Sequence, residues 1–137
     1  MDHVGVVVED LDGAAAFFHQ LGLRTVGETG AEGDWVDRVI GLERVRARVV
    51  MLETPDGHAR VELSRFDTPQ AAGRAEPAAA NEPGIRHLCF EVQELDSILE
   101  RTGAELVGEV ARYEDSYRLC YVRGPEGILV ELAERIA

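Results

Sequence analysis

The chain consists of two similar halves, and this internal repeat constrains its fold more than any other feature. Residues 3–12, HVGVVVEDLD, align without gaps to residues 87–96, HLCFEVQELD. The segment LGLRTVGE at 21–28 matches TGAELVGE at 102–109, and TPDGHARVELS at 54–64 matches GPEGILVELAE at 124–134 with a difference of one residue in the turn. Two such units are too large for a solenoid repeat and too few for a propeller.

The pattern of apolar residues in each unit predicts a strand, a helix and then further strands. Alternation at 3–8 is typical of a strand, and Asp10 or Asp12 is placed to cap a helix through AAAFFHQL that ends at Gly22. Apolar runs at 45–53 and 58–64 flank a Pro-Asp-Gly turn, which predicts a hairpin. The second unit repeats this pattern around a Pro-Glu-Gly turn at 125–127.

Other segments define the organisation of the chain. Residues 29–44 suggest a loop or an irregular strand, with a short helix through WVDRVIGL as the alternative. Residues 66–83 combine Pro, Ala and Gly without apolar periodicity, as a linker does. We therefore predict one domain over 1–137, made of module 1 (1–65), the linker (66–83) and module 2 (84–137). We expect Cys89 and Cys120 to be buried free thiols in strands.

The charge balance excludes several classes of partner. Fourteen Lys and Arg against 26 Asp and Glu give a formal charge of 14 − 26 = −12. Such an acidic chain is not expected to bind nucleic acid or an anionic membrane surface. The acidic N-terminus does not resemble a signal peptide, and the chain has no apolar run of about 18 residues, so we predict a cytoplasmic protein.

Two histidines and two glutamates occupy equivalent positions of the repeat. His3 and His87 stand at the start of the first strand of each unit, and Glu62 and Glu131 lie in the last strand, within VEL. If the first and last strands are neighbours, these residues come together. Imidazole and carboxylate groups bind Zn, Ni, Co, Mn or Fe, so the set predicts a site for one divalent metal ion.

Each of these residues also has a plainer interpretation as a polar surface residue. His58, Arg60 and Ser64 share the strand face of Glu62 and are typical of a solvated surface. Both faces of the strand around Glu131 carry apolar residues, and a buried carboxylate without a partner is costly. The equivalence of the four positions in the repeat favours the metal-binding interpretation.

The repeated segments HVGVVVEDLD and HLCFEVQELD, the two VEL endings and the set His3, Glu62, His87 and Glu131 resemble the vicinal oxygen chelate (VOC) superfamily. This superfamily includes glyoxalase I, methylmalonyl-CoA epimerase, extradiol dioxygenases, and the fosfomycin and bleomycin resistance proteins. The resemblance covers nearly the whole chain. It implies an α+β fold of two tandem βαβββ modules that form a curved mixed β-sheet cup around the metal, and it implies a homodimer. The site is completed within one chain or across a dimer, and the sequence leaves both options open.

The ligand set indicates which chemistry of the superfamily to expect. Glyoxalase I resembles this chain in its His, Glu, His, Glu set, whereas epimerases typically have Gln where this chain has Glu62. The resemblance thus implies a lyase or isomerase, glyoxalase I-like or epimerase-like, that works through a metal-stabilised enediolate. Glu131 or Glu62 serves as the base, and the resemblance favours Glu131. The alternatives are a drug-binding or resistance protein of the bleomycin or fosfomycin type and an Fe(II)-dependent extradiol-type dioxygenase.

Several residues are candidates to bind a small-molecule substrate. Arg44, Arg46 and Arg48 alternate with apolar residues, so a strand would present three cations on one face. This row is either a solvated face or an anion site that uses bidentate Arg contacts. Among the tyrosines, Tyr117 is a further candidate. No segment matches the glutathione-binding residues of glyoxalase I, and the acidic surface favours a small or singly charged substrate.

Overall fold

In the computed structural model, each half of the repeat forms its own mixed β-sheet. The structure describes residues 1–73 and 76–137, which divide into two units, Met1–Arg74 and Ala75–Ala137. In each unit the first strand pairs in parallel with the last strand, and the other strand pairs are antiparallel. These two mixed sheets with few helices confirm the predicted α+β class. The single domain over 1–137 stays a prediction.

Over its described residues, 1–73, the first unit contains four strands and two helices. The strands are β1 (Val4–Val7), β2 (Arg24–Glu32), β3 (Arg46–Glu53) and β4 (Arg60–Thr68), and the helices are α1 (Leu11–Gln20) and α2 (Asp34–Ile40). The sheet order is β1-β4-β3-β2. Strands β3 and β4 form the predicted hairpin.

Between residues 76 and 137, the second unit contains five strands and one α-helix. The strands are β5 (His87–Val92), β6 (Glu105–Leu106), β7 (Ala111–Tyr113), β8 (Tyr117–Arg123) and β9 (Leu129–Arg135), and the helix is α3 (Leu95–Thr102). The sheet order is β5-β9-β8-β6, and β7 also pairs with β8. A single 3₁₀ turn, Pro125–Gly127, joins β8 to β9 at the position of the predicted second hairpin turn.

Helix α1 covers one face of the first sheet. It begins after Asp10, whose carboxylate accepts a hydrogen bond from the Gly13 amide and thereby caps the first turn. Leu11, Ala14 and Phe18 are buried and recur at helical spacing, so they form one apolar stripe. This stripe packs over β3 and β4, whose buried residues on that side are Val50, Leu52, Val61 and Leu63.

In the second unit the carboxylate of Glu134 on β9 holds the start of α3. Glu94, which directly precedes α3, makes no side-chain capping hydrogen bond. The Leu95 amide instead donates to Glu134 Oε1 at 3.1 Å, and Arg118 bridges Glu134 and Asp96. This network attaches the first turn of α3, which contains the buried Leu95, to strand β9.

The region 29–44 is more regular than the sequence suggests. Strand β2 continues to Glu32, and α2 confirms the short-helix alternative over most of WVDRVIGL. The helix ends at Gly41, which adopts the left-handed conformation that glycine tolerates best. The Asp37 carboxylate then accepts hydrogen bonds from the Arg44 and Val45 amides, which fixes the turn into β3.

Two predictions need correction. The linker was expected to begin at residue 66, but β4 continues to Thr68 because Phe66 and Thr68 pair with Ala47 and Arg46 at the start of β3. Arg74 and Ala75, within the predicted linker, lie outside the described residues. Cys120 is buried as predicted, whereas Cys89 is exposed, because it lies on the polar face of β5 with His87 and Glu91. Within the described ranges, no helix is long and apolar enough to span a membrane.

The packing of α1 makes a prediction about stability. Phe18 has no exposed surface, whereas the adjacent Phe17 is half-buried. Phe18→Ala is expected to lower the free energy of unfolding by about 3–5 kcal/mol, because it removes a large buried side chain and leaves a cavity. Chemical denaturation followed by circular dichroism measures this change. Phe17→Ala is the matched control, and an equal loss in both variants would contradict the assignment of the buried stripe.

Candidate metal centre

In the first unit, the parallel pairing of β1 and β4 brings His3 next to Glu62. The register places Gly5 opposite Glu62, and His3 directly precedes β1. His3 Nε2 lies 3.5 Å from Glu62 Oε2, and Ser64 Oγ donates to the other carboxylate oxygen at 3.5 Å. Glu62 lies on the face of the sheet opposite to α1, because its neighbours Val61 and Leu63 point into the core beneath that helix.

The second unit repeats this arrangement between β5 and β9. The register places Cys89 opposite Glu131, and His87 is the first residue of β5. His87 Nε2 lies 3.1 Å from Glu131 Oε2. The side chain of Glu131 is 18% exposed against 30% for Glu62, so the second pair is the more enclosed of the two. Each predicted His therefore meets its predicted Glu within its own unit.

An additional carboxylate acts on the first pair. Asp2 Oδ2 accepts a hydrogen bond from His3 Nδ1 at 2.7 Å, so both ring nitrogens of His3 face carboxylates. The hydrogen bond with Asp2, followed by the charge of Glu62, raises the pKa of His3 above its ordinary value. The same hydrogen bond lowers the pKa of Asp2. By binding Nδ1 of His3, the Asp2 carboxylate also fixes Nε2 as the ring nitrogen that faces Glu62.

A phenol and a thiol surround the second pair. The Tyr121 hydroxyl lies 3.4 Å from His87 Nδ1 and 3.5 Å from Nε2, and the two rings are 5.0 Å apart. Desolvation and then the negative charge of Glu131 raise the pKa of Tyr121. The same two causes raise the pKa of the Cys89 thiol to about 11, although part of Cys89 remains exposed. Both groups therefore stay protonated near neutral pH and present hydrogen-bond donors to Glu131.

The donor chemistry of both pairs fits a divalent metal. Each pair supplies one imidazole nitrogen and one carboxylate oxygen, which are ligands for Zn, Ni, Co, Mn or Fe. No cluster of three or more His, Cys, Asp or Glu side chains suited to hold an ion occurs within residues 1–73 and 76–137. Each pair thus contributes two donors, and the full set of four ligands stays a prediction.

The predicted row of three arginines is only partly present. Strand β3 begins at Arg46, and Arg44 precedes it with a φ of 57°, so Arg44 does not belong to the strand face. Arg44 and Arg46 instead line an open cavity of about 690 Å³ in the first unit. Four carboxylate side chains also line this cavity: Glu32, Asp34, Asp37 and Glu43. None of the four candidate metal ligands lines it.

Arg46 and Arg48 lie on the opposite side of the sheet from Glu62. Residues two apart in a strand share a face, so these two arginines share the face of Val50, which packs beneath α1. Glu62 pairs with Met51 and points to the other side. The arginines therefore do not reach a ligand bound at Glu62, and their role in binding an anionic substrate gains no support from this placement.

Of the tyrosines, the sequence analysis selected Tyr117, but Tyr121 is the one beside the candidate ligands. Tyr117 lies on the same face of β8 four residues away, where its hydroxyl accepts a hydrogen bond from Arg135 at 2.8 Å and its ring contacts the guanidinium. Tyr121 pairs directly with Glu131. In the sequence, Tyr121 is distinguished only by its position in the alternating pattern of β8. This position identifies it as a neighbour of Glu131 only when the register of β8 with β9 is known.

The fold and the two His–Glu pairs define a duplicated βαβββ protein with ligand-type residues on its first and last strands. Residues 2–121 match the model of the Glyoxalase/Bleomycin resistance protein/Dioxygenase superfamily. The chain therefore belongs to this superfamily, as its sequence resemblance to the VOC proteins predicts. The match includes His3, Glu62 and His87 and ends before Glu131. A comparison with curated proteins gives no match.

Solved structures agree with this assignment. A glyoxalase family protein from Bacillus cereus is 48% identical, with a TM-score of 0.95, and the match covers 100% of this chain and 94% of that one. A glyoxylase/bleomycin resistance protein/dioxygenase domain from Frankia sp. EAN1pec is 18% identical (TM-score 0.65, 99% and 91% covered). The fosfomycin resistance protein FosX from Listeria monocytogenes is 20% identical (TM-score 0.57, 96% and 90% covered). The latter two show the shared fold.

The environment of Cys89 makes a prediction about its reactivity. With Cys120 replaced by Ser, Cys89 is the only thiol, and its pKa of about 11 against an ordinary 9.0 reduces its thiolate fraction by about 100-fold at neutral pH. Alkylation by iodoacetamide, followed by mass spectrometry, is expected to be correspondingly slower in the folded protein than in the denatured chain. Glu131→Gln is expected to accelerate it, because a negative charge is removed. Equal rates in the folded and denatured states would contradict this account.

Proposed function

We propose that this protein is a divalent-metal-dependent enzyme of the lyase or isomerase type, which moves a proton at a carbon next to a carbonyl group of a small-molecule substrate. The observation that carries the proposal is the duplicated pair, His3 with Glu62 and His87 with Glu131, placed between the first and last strand of each unit. Pairs at equivalent positions of a repeat favour a shared role over two separate surface contacts.

The four residues are proposed as the metal ligands. Both carboxylates are half-buried beside an imidazole, where a bound cation would neutralise them, and this environment favours a cation. FosX, which shares the fold, was solved in complex with Mn(II). The metal in the present protein is one of Zn, Ni, Co, Mn or Fe, and the ligand atoms do not select among them.

When bound, such an ion would supply Lewis-acid polarisation of two neighbouring substrate oxygens. The protein's own contribution is the proton transfer. A carboxylate oxygen of Glu131 or Glu62 accepts the proton from the substrate carbon and returns it to a neighbouring atom, which is general base and then general acid catalysis. Glu131 is the preferred base, because its greater burial limits hydration of the carboxylate. His3 and His87 stay neutral in this scheme in order to bind the metal.

The partner of this site is a small molecule, and the protein is proposed to act as a homodimer, as members of its superfamily do. The formal charge of −12 disfavours substrates with several negative charges, because Arg46 and Arg48, which could offset it locally, do not face Glu62. Small 2-oxo acids, hemithioacetals and, as a more highly charged test case, acyl-CoA thioesters are the compounds to examine.

Metal content tests the proposed ligands. The purified protein is expected to retain a divalent ion, measured by inductively coupled plasma mass spectrometry, and His87→Ala or His3→Ala is expected to lose most of it. His58→Ala is the matched control, because His58 also lies beside a carboxylate, 3.4 Å from Asp56, but outside the repeated pattern. Protein that never retains a divalent ion would favour a drug-binding protein, and Fe(II) with oxygen uptake would favour the dioxygenase alternative.

Replacement of the base tests the reaction itself. Solvent deuterium is expected to enter the true substrate in the presence of the wild-type protein, and Glu131→Gln is expected to reduce this exchange by about 10²–10⁴-fold while some metal is kept. Nuclear magnetic resonance of the substrate measures the exchange. Glu91→Gln serves as the control, because Glu91 lies exposed on β5 and is not a proposed ligand. Unchanged turnover in Glu131→Gln would assign the base to another residue.

A further inference from the structure

The two His–Glu pairs differ in what holds the imidazole. In the first unit Asp2 binds His3 Nδ1 at 2.7 Å, and Nε2 is left to face Glu62. The equivalent residue before His87 is Arg86, which has hydrogen-bond donors but no acceptor. His87 therefore lacks the carboxylate that orients its counterpart in the first unit.

Tyr121 occupies the space beside His87. Its hydroxyl lies within 3.5 Å of both ring nitrogens, and the rings contact each other at a 43° angle. The strand register also pairs Tyr121 with Glu131, so one side chain adjoins both members of the pair. At the equivalent place in the first unit, the residue that pairs with Glu62 is Met51, which carries no hydroxyl.

From this difference we propose that Tyr121 is the positioning residue of the second pair, whose hydroxyl orients His87 and Glu131 as the Asp2 carboxylate orients His3. The proposal rests on the proposed function, because it concerns how two of the proposed ligands are held. Metal-binding histidines generally hydrogen-bond their other ring nitrogen to a nearby group, which fixes the tautomer and the ring orientation. A phenol hydroxyl both donates and accepts, so it serves the imidazole and the carboxylate.

The choice of a neutral phenol over a carboxylate follows from the local charges. Glu131 is more enclosed than Glu62, and Glu91 extends from the same face of β5 as His87. A further carboxylate at this place would repel Glu131, and water would screen that repulsion less than it does around the exposed Asp2. A hydroxyl supplies the orienting hydrogen bond without adding negative charge.

The test compares two tyrosines on the same face of one strand. Tyr121→Phe removes the hydroxyl and keeps the ring against His87, whereas Tyr117→Phe removes a hydroxyl that bonds Arg135 instead. In titrations of metal-free protein with Co(II), followed by calorimetry and visible absorption, Tyr121→Phe is expected to bind about 10–100-fold more weakly and to give an altered d–d spectrum. Tyr117→Phe is expected to match the wild type in both measurements.

A second measurement separates positioning from a loss of fold. Zn(II) added to the wild type is expected to produce a near-ultraviolet tyrosine difference signal, which persists in Tyr117→Phe and disappears in Tyr121→Phe. The thermal unfolding midpoint of the metal-free Tyr121→Phe protein is expected to stay close to that of Tyr117→Phe. Equal Co(II) affinity and an equal spectrum in Tyr121→Phe and wild type would overturn the role of Tyr121 and leave the proposed function standing. A wild type that binds no Co(II) would overturn the proposed function and, with it, this inference.

Discussion

The parallel pairing of the first strand with the last strand in each unit is the constraint on which the rest of the structure depends. A parallel pair requires a long connection, and here the connection contains the helix and the middle strands of each unit. The pairing sets His3 beside Glu62 and His87 beside Glu131, about 60 and 44 positions apart in sequence. Both pairs therefore depend on the backbone hydrogen bonds between the paired strands, in which the His and Glu side chains take no part.

In the first sheet, one face packs against a helix and the other face carries a candidate metal ligand. Helix α1 covers the side of the first sheet that carries Val50 and Leu63, and the other side carries Glu62. Because side chains alternate along a strand, a residue's place in the sequence decides which of these roles it has. Arg48 illustrates the rule, since the alternation that made it look like part of a binding surface puts it on the side of the helix.

The repeat preserved the ligand-type residues but not their surroundings. Asp2 and Arg86 stand at equivalent positions with opposite charges, and Met51 and Tyr121 are equally dissimilar. The first pair is consequently a charged, solvated cluster of two carboxylates around one imidazole, and the second is enclosed by neutral donors.

Some features could be predicted from local sequence and others could not. The hairpins and the helix capped by Asp10 follow from turn residues and apolar spacing, which act over a few positions. Strand β2 gave a weak signal because nearly all of its residues are exposed at the edge of the sheet, where only the pairing with β3 holds it in place. Cys89 was assigned to the core from the general preference of cysteine for burial, although its alternation with Leu88 and Phe90 pointed to the polar face.

The sequence by itself determined the duplication, the α+β class and the superfamily, and it selected the four candidate ligands, because equivalent positions of a repeat can be compared without any knowledge of distance. Only the tertiary structure decided which side chains accompany those ligands. Tyr121 is ten positions from Glu131 and 34 from His87 in sequence, yet it lies beside both of these candidate ligands. Strand register fixes such neighbours, and a shift of one residue would have turned Tyr121 to the opposite face of its sheet.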